Sequence, residues 1–444
     1  MTAPMTIIDL RNDDLARWKD LLSRRYQPST DLVERVAAIL AAVRDRGDEA
    51  LIELTKRFDN VDLLPGQLQV SAPEIVQAQE QVEPDLLNAL RRSRENVTVF
   101  AKRTLRTGWL GQNSEGAAVG ERFDPLQRVG IYVPAGTAPL VSTAIMTVSL
   151  ASAAGVPEIA VTSPVGPNKT MDPGLLAALQ LAGATVVYKV GGAQAIAALA
   201  FGTRTIRPVL KVFGPGNAYV TEAKRQVFGF VGVDLLPGPS EIVVVADHTA
   251  NPAWVAADLL AQAEHGSGSV ICLVGLDEKV ASNVRNEINL QVHTLGRQSF
   301  LWETIEKQAL TVIAKDRPQA AEIVNEFAPE HVSIAVENPD EFATAIKTAG
   351  AIFIGHFSPV AAGDFLAGPS HELPTGGAAK FLSGLTADQF QRRTSLVRYD
   401  KEALEKSVAA LNAFSRAERL DAHGRSVTIR LESGPAAAAG STPP

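Results

Sequence analysis

What this chain has little of narrows its role before any motif is read. A single cysteine, Cys272, stands among 444 residues, which excludes an intramolecular disulfide framework and fits a reducing compartment such as the cytoplasm. It lies inside the apolar run 269–274, where burial raises a thiol's pKa, so aldehyde chemistry built on a cysteine nucleophile is disfavoured. Basic residues neither predominate nor cluster. Lys and Arg total 42 against 49 Asp and Glu, for a net charge of −7, which argues against nucleic acid or an anionic membrane and for a small-molecule partner. The first ten residues lack the basic start, apolar stretch and cleavage site of a signal peptide. Long apolar runs are missing too: residues 129–157 carry no charge, but Pro134, Pro139 and several glycines break them into a strand, a loop and a buried helix.

What is present is material for large cores. Hydrophobic residues make up 46% of the chain, and its length predicts two or three domains. Leu32, Val36, Ile39, Leu40 and Val43 mark one face of a helix, with Ser29 or Thr30 as N-cap and Gly47 as its break. From Arg128 onward, β-branched runs at 129–133, 158–162, 185–190, 208–213, 241–245, 269–274, 332–336 and 351–354 alternate with Ala/Leu-rich helical stretches. That alternation predicts an α/β fold of βαβ units, and eight such strands suit two parallel sheets better than one. The turn-rich segment 235–240 is a candidate boundary, the chain after Phe390 reads as charged and helical, and 434–444 is a Gly/Ala/Pro tail predicted to be disordered.

The chemistry concentrates where histidines stand beside acids and amides. Gln262 and His265 share a helix face at spacing i, i+3, so an amide oxygen and an imidazole nitrogen can converge on one cation. His265 equally suits the cap of a helix that ends before Gly266. Asp364 and His423 would complete a mixed nitrogen and oxygen set suited to zinc, although no compact spacing joins the four. Each also has an ordinary role open to it, Asp364 as a helix cap, His371 as a loop residue, Glu418 and His423 on a solvated face. Glu330 and His331 follow a proline and precede a strand, at an end of a parallel sheet, where open α/β folds place ligand sites. An adjacent carboxylate and imidazole can divide proton transfers, or simply be polar residues at a strand entry. Two glycine-rich segments, 191–194 and 213–219, offer backbone N–H groups to a pyrophosphate, but neither matches the dinucleotide fingerprint with its later acid.

Taken together these segments resemble the histidinol dehydrogenase family over nearly the whole chain. The likeness rests on Val-Gly-Ile-Tyr-Val-Pro at 129–134, Val-Gly-Gly-Ala-Gln-Ala-Ile at 190–196, Gly-Pro-Gly-Asn at 214–217 and Gly-Pro-Ser-Glu at 238–241. It extends to Gln-Ala-Glu-His at 262–265, Ala-Pro-Glu-His at 328–331, Ala-Gly-Asp at 362–364 and Leu-Asp-Ala-His at 420–423. The resemblance implies zinc, one ion per subunit, on Gln262, His265, Asp364 and His423, and an acid/base pair on Glu330 and His331. It implies substrate contacts at Ser240, His331, His371 and Glu418 as well as the metal ligands, and NAD contacts at Tyr132, Gln194 and Asn217. The implied reaction is oxidation of L-histidinol to L-histidine through L-histidinal with two NAD reduced. The departures are Ala135 where a second glycine is usual, Gly266 where an acid is common, and Pro369-Ser370 in a loop.

The fold so implied is an intertwined homodimer of two incomplete Rossmann-like domains with small helical terminal domains, in which Glu418 and His423 reach the partner's active site. The expected layout is a helical segment at 1–27, a first Rossmann-like domain from 28–131 and 240–385, a second from 132–239, a helical dimerisation domain at 386–433 and the tail. Two rivals are a related dehydrogenase of another small alcohol and a non-catalytic metal-binding protein. His371 and Glu418, which suit imidazole and ammonium groups, favour histidinol, and the presence of both Glu330 and His331 favours catalysis.

Overall fold

A computed structural model describes residues 5–13, 27–135, 139–266 and 268–432. The chain divides into two compact units, one of residues 1–105 and 126–390, the other of 106–125 and 391–444. The predicted tail at 434–444 lies outside the described residues. Among those that are described, no helix is long and apolar enough to cross a membrane.

The strands in chain order are β1 (Thr6–Asp9), β2 (Trp109–Gln112), β3 (Ala118–Pro125), β4 (Arg128–Tyr132), β5 (Glu158–Thr162), β6 (Val186–Tyr188) and β7 (Lys211–Phe213). They continue with β8 (Gly232–Val233), β9 (Glu241–Ala246), β10 (Val270–Gly275), β11 (Ala309–Ile313), β12 (His331–Ala335), β13 (Ala351–Ile354) and β14 (Gln391–Arg398). The larger unit holds two parallel sheets, as the alternation predicts: five strands in the order β6-β5-β4-β7-β8 and six in the order β1-β11-β10-β9-β12-β13. In the first the order reverses between β4 and β7, in the second between β9 and β12, so each sheet has one switch point.

Burial explains why the central strands read as unbroken apolar runs. Every residue of β9 is buried, Ile242 and Val244 facing one core and Val243 and Val245 the other. The helix Thr30–Arg46 is capped by Ser29, whose hydroxyl accepts from Leu32 N at 3.2 Å, and it stops at Gly47 with φ 57°. Its apolar face, Val36, Ile39, Leu40 and Val43, enters the core of the five-stranded sheet together with residues of the helices Asp48–Asp59, Ala72–Gln81 and Pro84–Thr104.

That packing divides the chain differently from the expected layout. Residues 30–104 were assigned with 240–385, but their buried side chains pack on the sheet formed between 128 and 233. The stripe of Val36, Ile39 and Val43 says that a face is buried and is silent on which sheet buries it. At the N-terminus, expected to be helical, Thr6–Asp9 instead form an edge strand paired in parallel with β11. The smaller unit also departs from an all-helical reading. Its β14 pairs antiparallel with β3 along eight residues, β2 completes a three-stranded sheet, and only then come the helices Lys401–Glu418 and Asp421–Glu432.

Candidate active site

The catalytic candidates gather at the amino edge of the six-stranded sheet, beside its switch point. Two segments lead into neighbouring strands there. Ser240 precedes β9, Glu330 precedes β12, and His331 is the first residue of β12. The helix Pro252–Ala263 leaves the carboxyl end of β9 and runs back, so its last turn brings Gln262 and then His265 to the same edge before β10 begins. A second returning helix, Arg317–Phe327, ends in Ala328 at φ 51°, whose N–H caps Val324 O at 2.8 Å and turns the chain through Pro329 into Glu330.

Backbone and side chain contacts give the pair distinct environments. Glu330 accepts from Glu241 N at 3.0 Å and from the Ser240 hydroxyl. Burial raises its pKa to about 8; those two hydrogen bonds oppose the rise, and the nearby Asp364 and Glu372 charges add to it. His331 is buried as well, and desolvation lowers its pKa despite the pull of Asp364. Its Nδ1 lies 3.2 Å from Glu241 O. A carbonyl can only accept, so Nδ1 carries the proton and Nε2 keeps a lone pair. Nε2 is buried with no hydrogen-bond partner, 3.8 Å from Asp364 Oδ1. A neutral imidazole with its basic nitrogen unengaged is ready to accept a proton.

Asp364, on the short helix Val360–Phe365, links this pair to His371. His371 Nδ1 donates to Asp364 O at 2.9 Å, while Nε2 is 3.2 Å from Thr143 Oγ1 and 3.5 Å from Glu372 Oε1. Burial works against a charge on His371, but Glu372 and Asp364 outweigh it and raise its pKa. Thr143 comes from the helix Val141–Ala153 after β4, so both halves of the larger unit contribute. Sequence reasoning passed over Thr143 and Glu372; Glu372 adjoins a chosen histidine, whereas nothing local marks a threonine in an uncharged helix.

Three of the four expected metal ligands lie in this unit. The His265 ring stays open to solvent along part of its surface, yet burial of the remainder lowers its pKa, with Asp364 acting in the opposite sense. Gln262 is buried and one end of its amide, Nε2, finds no partner. A half-turn of that amide offers an oxygen in its place, and amide oxygen, imidazole nitrogen and carboxylate oxygen form a donor set that suits zinc. Among the described residues no three His, Cys, Asp or Glu side chains are grouped to hold a metal, and the expected set has two such side chains here, His265 and Asp364. Glu418 and His423 are exposed on the two helices of the smaller unit.

The cofactor candidates occupy the opposite kind of edge. Tyr132 ends β4 and its buried hydroxyl accepts from Gly192 N at 3.2 Å. Gln194, in the first turn of the helix Gly192–Phe201, is buried with Nε2 unpaired. Asn217 caps the helix Ala218–Val227, accepting from Tyr219 N at 3.0 Å and Val220 N at 3.2 Å. All three end or follow strands of the five-stranded sheet at its carboxyl edge, and β4 and β7 flank the switch point. An unpaired buried amide beside two helix N-termini fits an anionic, polar ligand such as a dinucleotide. Cys272 is buried within β10, away from a nucleophile's needs.

Comparison with known proteins adds a separate line of observation. The family model described as histidinol dehydrogenase matches residues 22–431. Histidinol dehydrogenase of Geobacillus kaustophilus is 44% identical over 414 residues, covering 93% of this chain and 97% of its own. That of Heliobacterium mobile is 40% identical, covering 93% of this chain and 96% of its own. The crystal structure of histidinol dehydrogenase from Elizabethkingia anophelis superposes with a TM-score of 0.92 at 34% identity, covering 97% of this chain and 99% of that one.

Proposed function

The chain belongs to the histidinol dehydrogenase family, an oxidoreductase family of histidine biosynthesis, and on that premise we propose a zinc-dependent oxidation of L-histidinol through L-histidinal to L-histidine, coupled to reduction of two NAD. The observation that carries the reading is the His331 ring, oriented by Glu241 O with Nδ1 3.7 Å from Glu330 Oε2 and an unpartnered Nε2 3.8 Å from Asp364 Oδ1. Such chemistry belongs in the cytoplasm, where NAD and reduced thiols coexist.

In the first step His331 Nε2 takes the hydroxyl proton as hydride leaves the same carbon. In the second, Glu330 in its carboxylate form takes a proton from the water that adds to the aldehyde carbon. His331, having released its first proton to solvent, then accepts the proton of the hydrated aldehyde as the second hydride departs. One alcohol and one water thus give one carboxylate, two NADH and three protons. Ser240, hydrogen-bonded to Glu330, holds that carboxyl beside His331 and contacts substrate, and His371 orients substrate from across the site. When bound, NAD would accept the hydride and be held by Tyr132, Gln194 and Asn217. Zinc, held by Gln262, His265 and Asp364 with His423 of the partner subunit, would anchor and orient the substrate's nitrogens.

A homodimer with shared sites follows from the same reading, with Glu418 of the partner subunit also contacting substrate. Its support is that the smaller unit leaves the apolar side chains of Trp109, Leu110, Val397 and Phe414 exposed, which a partner would cover. The direct test supplies histidinol, NAD and zinc and counts NADH: about two per histidinol consumed is expected, and one per histidinol would end the reading at the aldehyde. Mixing inactive His265→Ala chains with inactive His423→Ala chains should restore activity in mixed dimers. Mixed dimers that form and stay inactive would place all four ligands within one chain.

A further inference from the structure

Lys224 and Asp234 form a buried ion pair whose cost calls for an explanation. Lys224 sits in the helix Ala218–Val227 and Asp234 follows β8; their side chains retain 1% and 2% exposure, with Nζ 2.5 Å from Oδ1. Replacing such a pair with apolar residues is often neutral or stabilising, so its presence points to something it holds in place. What it holds is one residue. Lys224 Nζ donates to Gly214 O at 2.7 Å, and Gly214 N donates to Asp234 Oδ2 at 2.8 Å. Both backbone groups of a single residue are therefore fixed by charged partners.

That residue opens the Gly-Pro-Gly-Asn turn after β7. Gly214 has φ +103°, and a Cβ there would stand 2.1 Å from Tyr132 O, so no other residue fits. Gly216 is as tightly placed, since its Cβ would stand 2.3 Å from Val220 Cγ1. Three residues beyond Gly214, Asn217 caps the very helix that carries Lys224. The pair thus sets the turn against Tyr132 on one side and Asn217 on the other, across the switch point of the five-stranded sheet.

We propose that Lys224 and Asp234 are positioning residues for NAD, a buried clamp that holds Gly214 so that Tyr132 and Asn217 face the dinucleotide together. This rests on the reading that Tyr132, Gln194 and Asn217 contact NAD. The test is calorimetric titration of NAD and, separately, of histidinol into the zinc-loaded full-length protein, with thermal unfolding recorded for each variant. Lys224→Met should weaken NAD binding about tenfold or more, because a displacement of an ångström suffices to spoil a positioned contact, and leave histidinol binding within about twofold. Asp234→Asn keeps an acceptor for Gly214 N and removes the charge, so it should weaken NAD binding by less; it decides the matter if Lys224→Met does not fold. Equal loss of NAD and histidinol binding, or undiminished NAD binding in a folded variant, would overturn the clamp. Asn217→Ala separates the two readings. If it too leaves NAD binding intact, the cofactor site itself is misplaced; if it weakens binding while the clamp variants do not, only the clamp is wrong.

Discussion

In the five-stranded sheet the candidate ligand residues end or follow strands β4, β6 and β7, whereas in the six-stranded sheet Ser240, Glu330 and His331 precede or begin β9 and β12. Opposite ends of two similar parallel sheets are thus put to use, and the helices explain the division. At a carboxyl edge, helices begin, and their free N–H groups and positive dipole ends suit a pyrophosphate; Gly192 and Asn217 stand at two such starts. At an amino edge, returning helices end, and their carbonyl ends favour cations; Gln262 and Ala328 mark two such ends. On the proposed reading, anion binding goes to one kind of edge, metal and proton acceptance to the other.

Removing zinc with a chelator should sharpen this contrast most. The expected ligands come from separate segments that are already packed without a metal, so turnover should vanish while far-UV circular dichroism and NAD binding change little. Full activity in metal-free protein would break the assignment of the amino edge to a metal. Gln194→Ala probes the other edge. Its buried amide has an unpaired nitrogen, and losing a hydrogen bond to a charged ligand costs about 1.5–3 kcal/mol. The KM for NAD should therefore rise by roughly ten- to a hundredfold with that for histidinol unchanged; a rise in both would show that the edges are not independent. Ser29→Ala removes the cap of a helix that carries no candidate ligand and should cost about 1 kcal/mol of stability, measured by urea unfolding, with no effect on either KM.

Much of this was legible from residue order, for reasons that differ by region. Buried parallel strands such as β9 and β10 are continuous β-branched runs, and no turn chemistry is needed to see them. The strand β14 was not legible, because Gln391–Arg398 is a charged, half-exposed antiparallel strand whose composition also suits a helix. The edge strand β1 is four residues long and gains its place only by pairing with β11, some 300 residues away. In the site, Gln262 with His265 and Glu330 with His331 are neighbours in sequence and could be paired on sight. Contacts between Ser240 and Glu330, or Thr143 and His371, join residues 90 and 228 positions apart and exist only through the fold. Residue order does place Glu330 and His331 before a strand, hence at an amino end of its sheet. The general rule for open α/β sheets places ligands at carboxyl ends, and the candidate pair departs from it.

The division of labour between Glu330 and His331 is the centre of the account, and the raised pKa of Glu330 gives it a pH signature. Water activation needs the carboxylate, so the aldehyde step should accelerate as pH rises and level off above about 8. The same burial favours the protonated carboxyl in the folded state, so its contribution to stability is complete at acid pH and is lost as pH rises through about 8. The most direct measurement supplies histidinal with NAD and follows NADH between pH 6 and 9 in wild-type protein and in Glu330→Gln. The account predicts a rising wild-type limb with its midpoint near pH 8, and a variant slower by on the order of 10²–10⁴ with that limb gone, while conversion of histidinol to histidinal survives. A variant that oxidises histidinal as fast as the wild type, with the same pH limb, would contradict it.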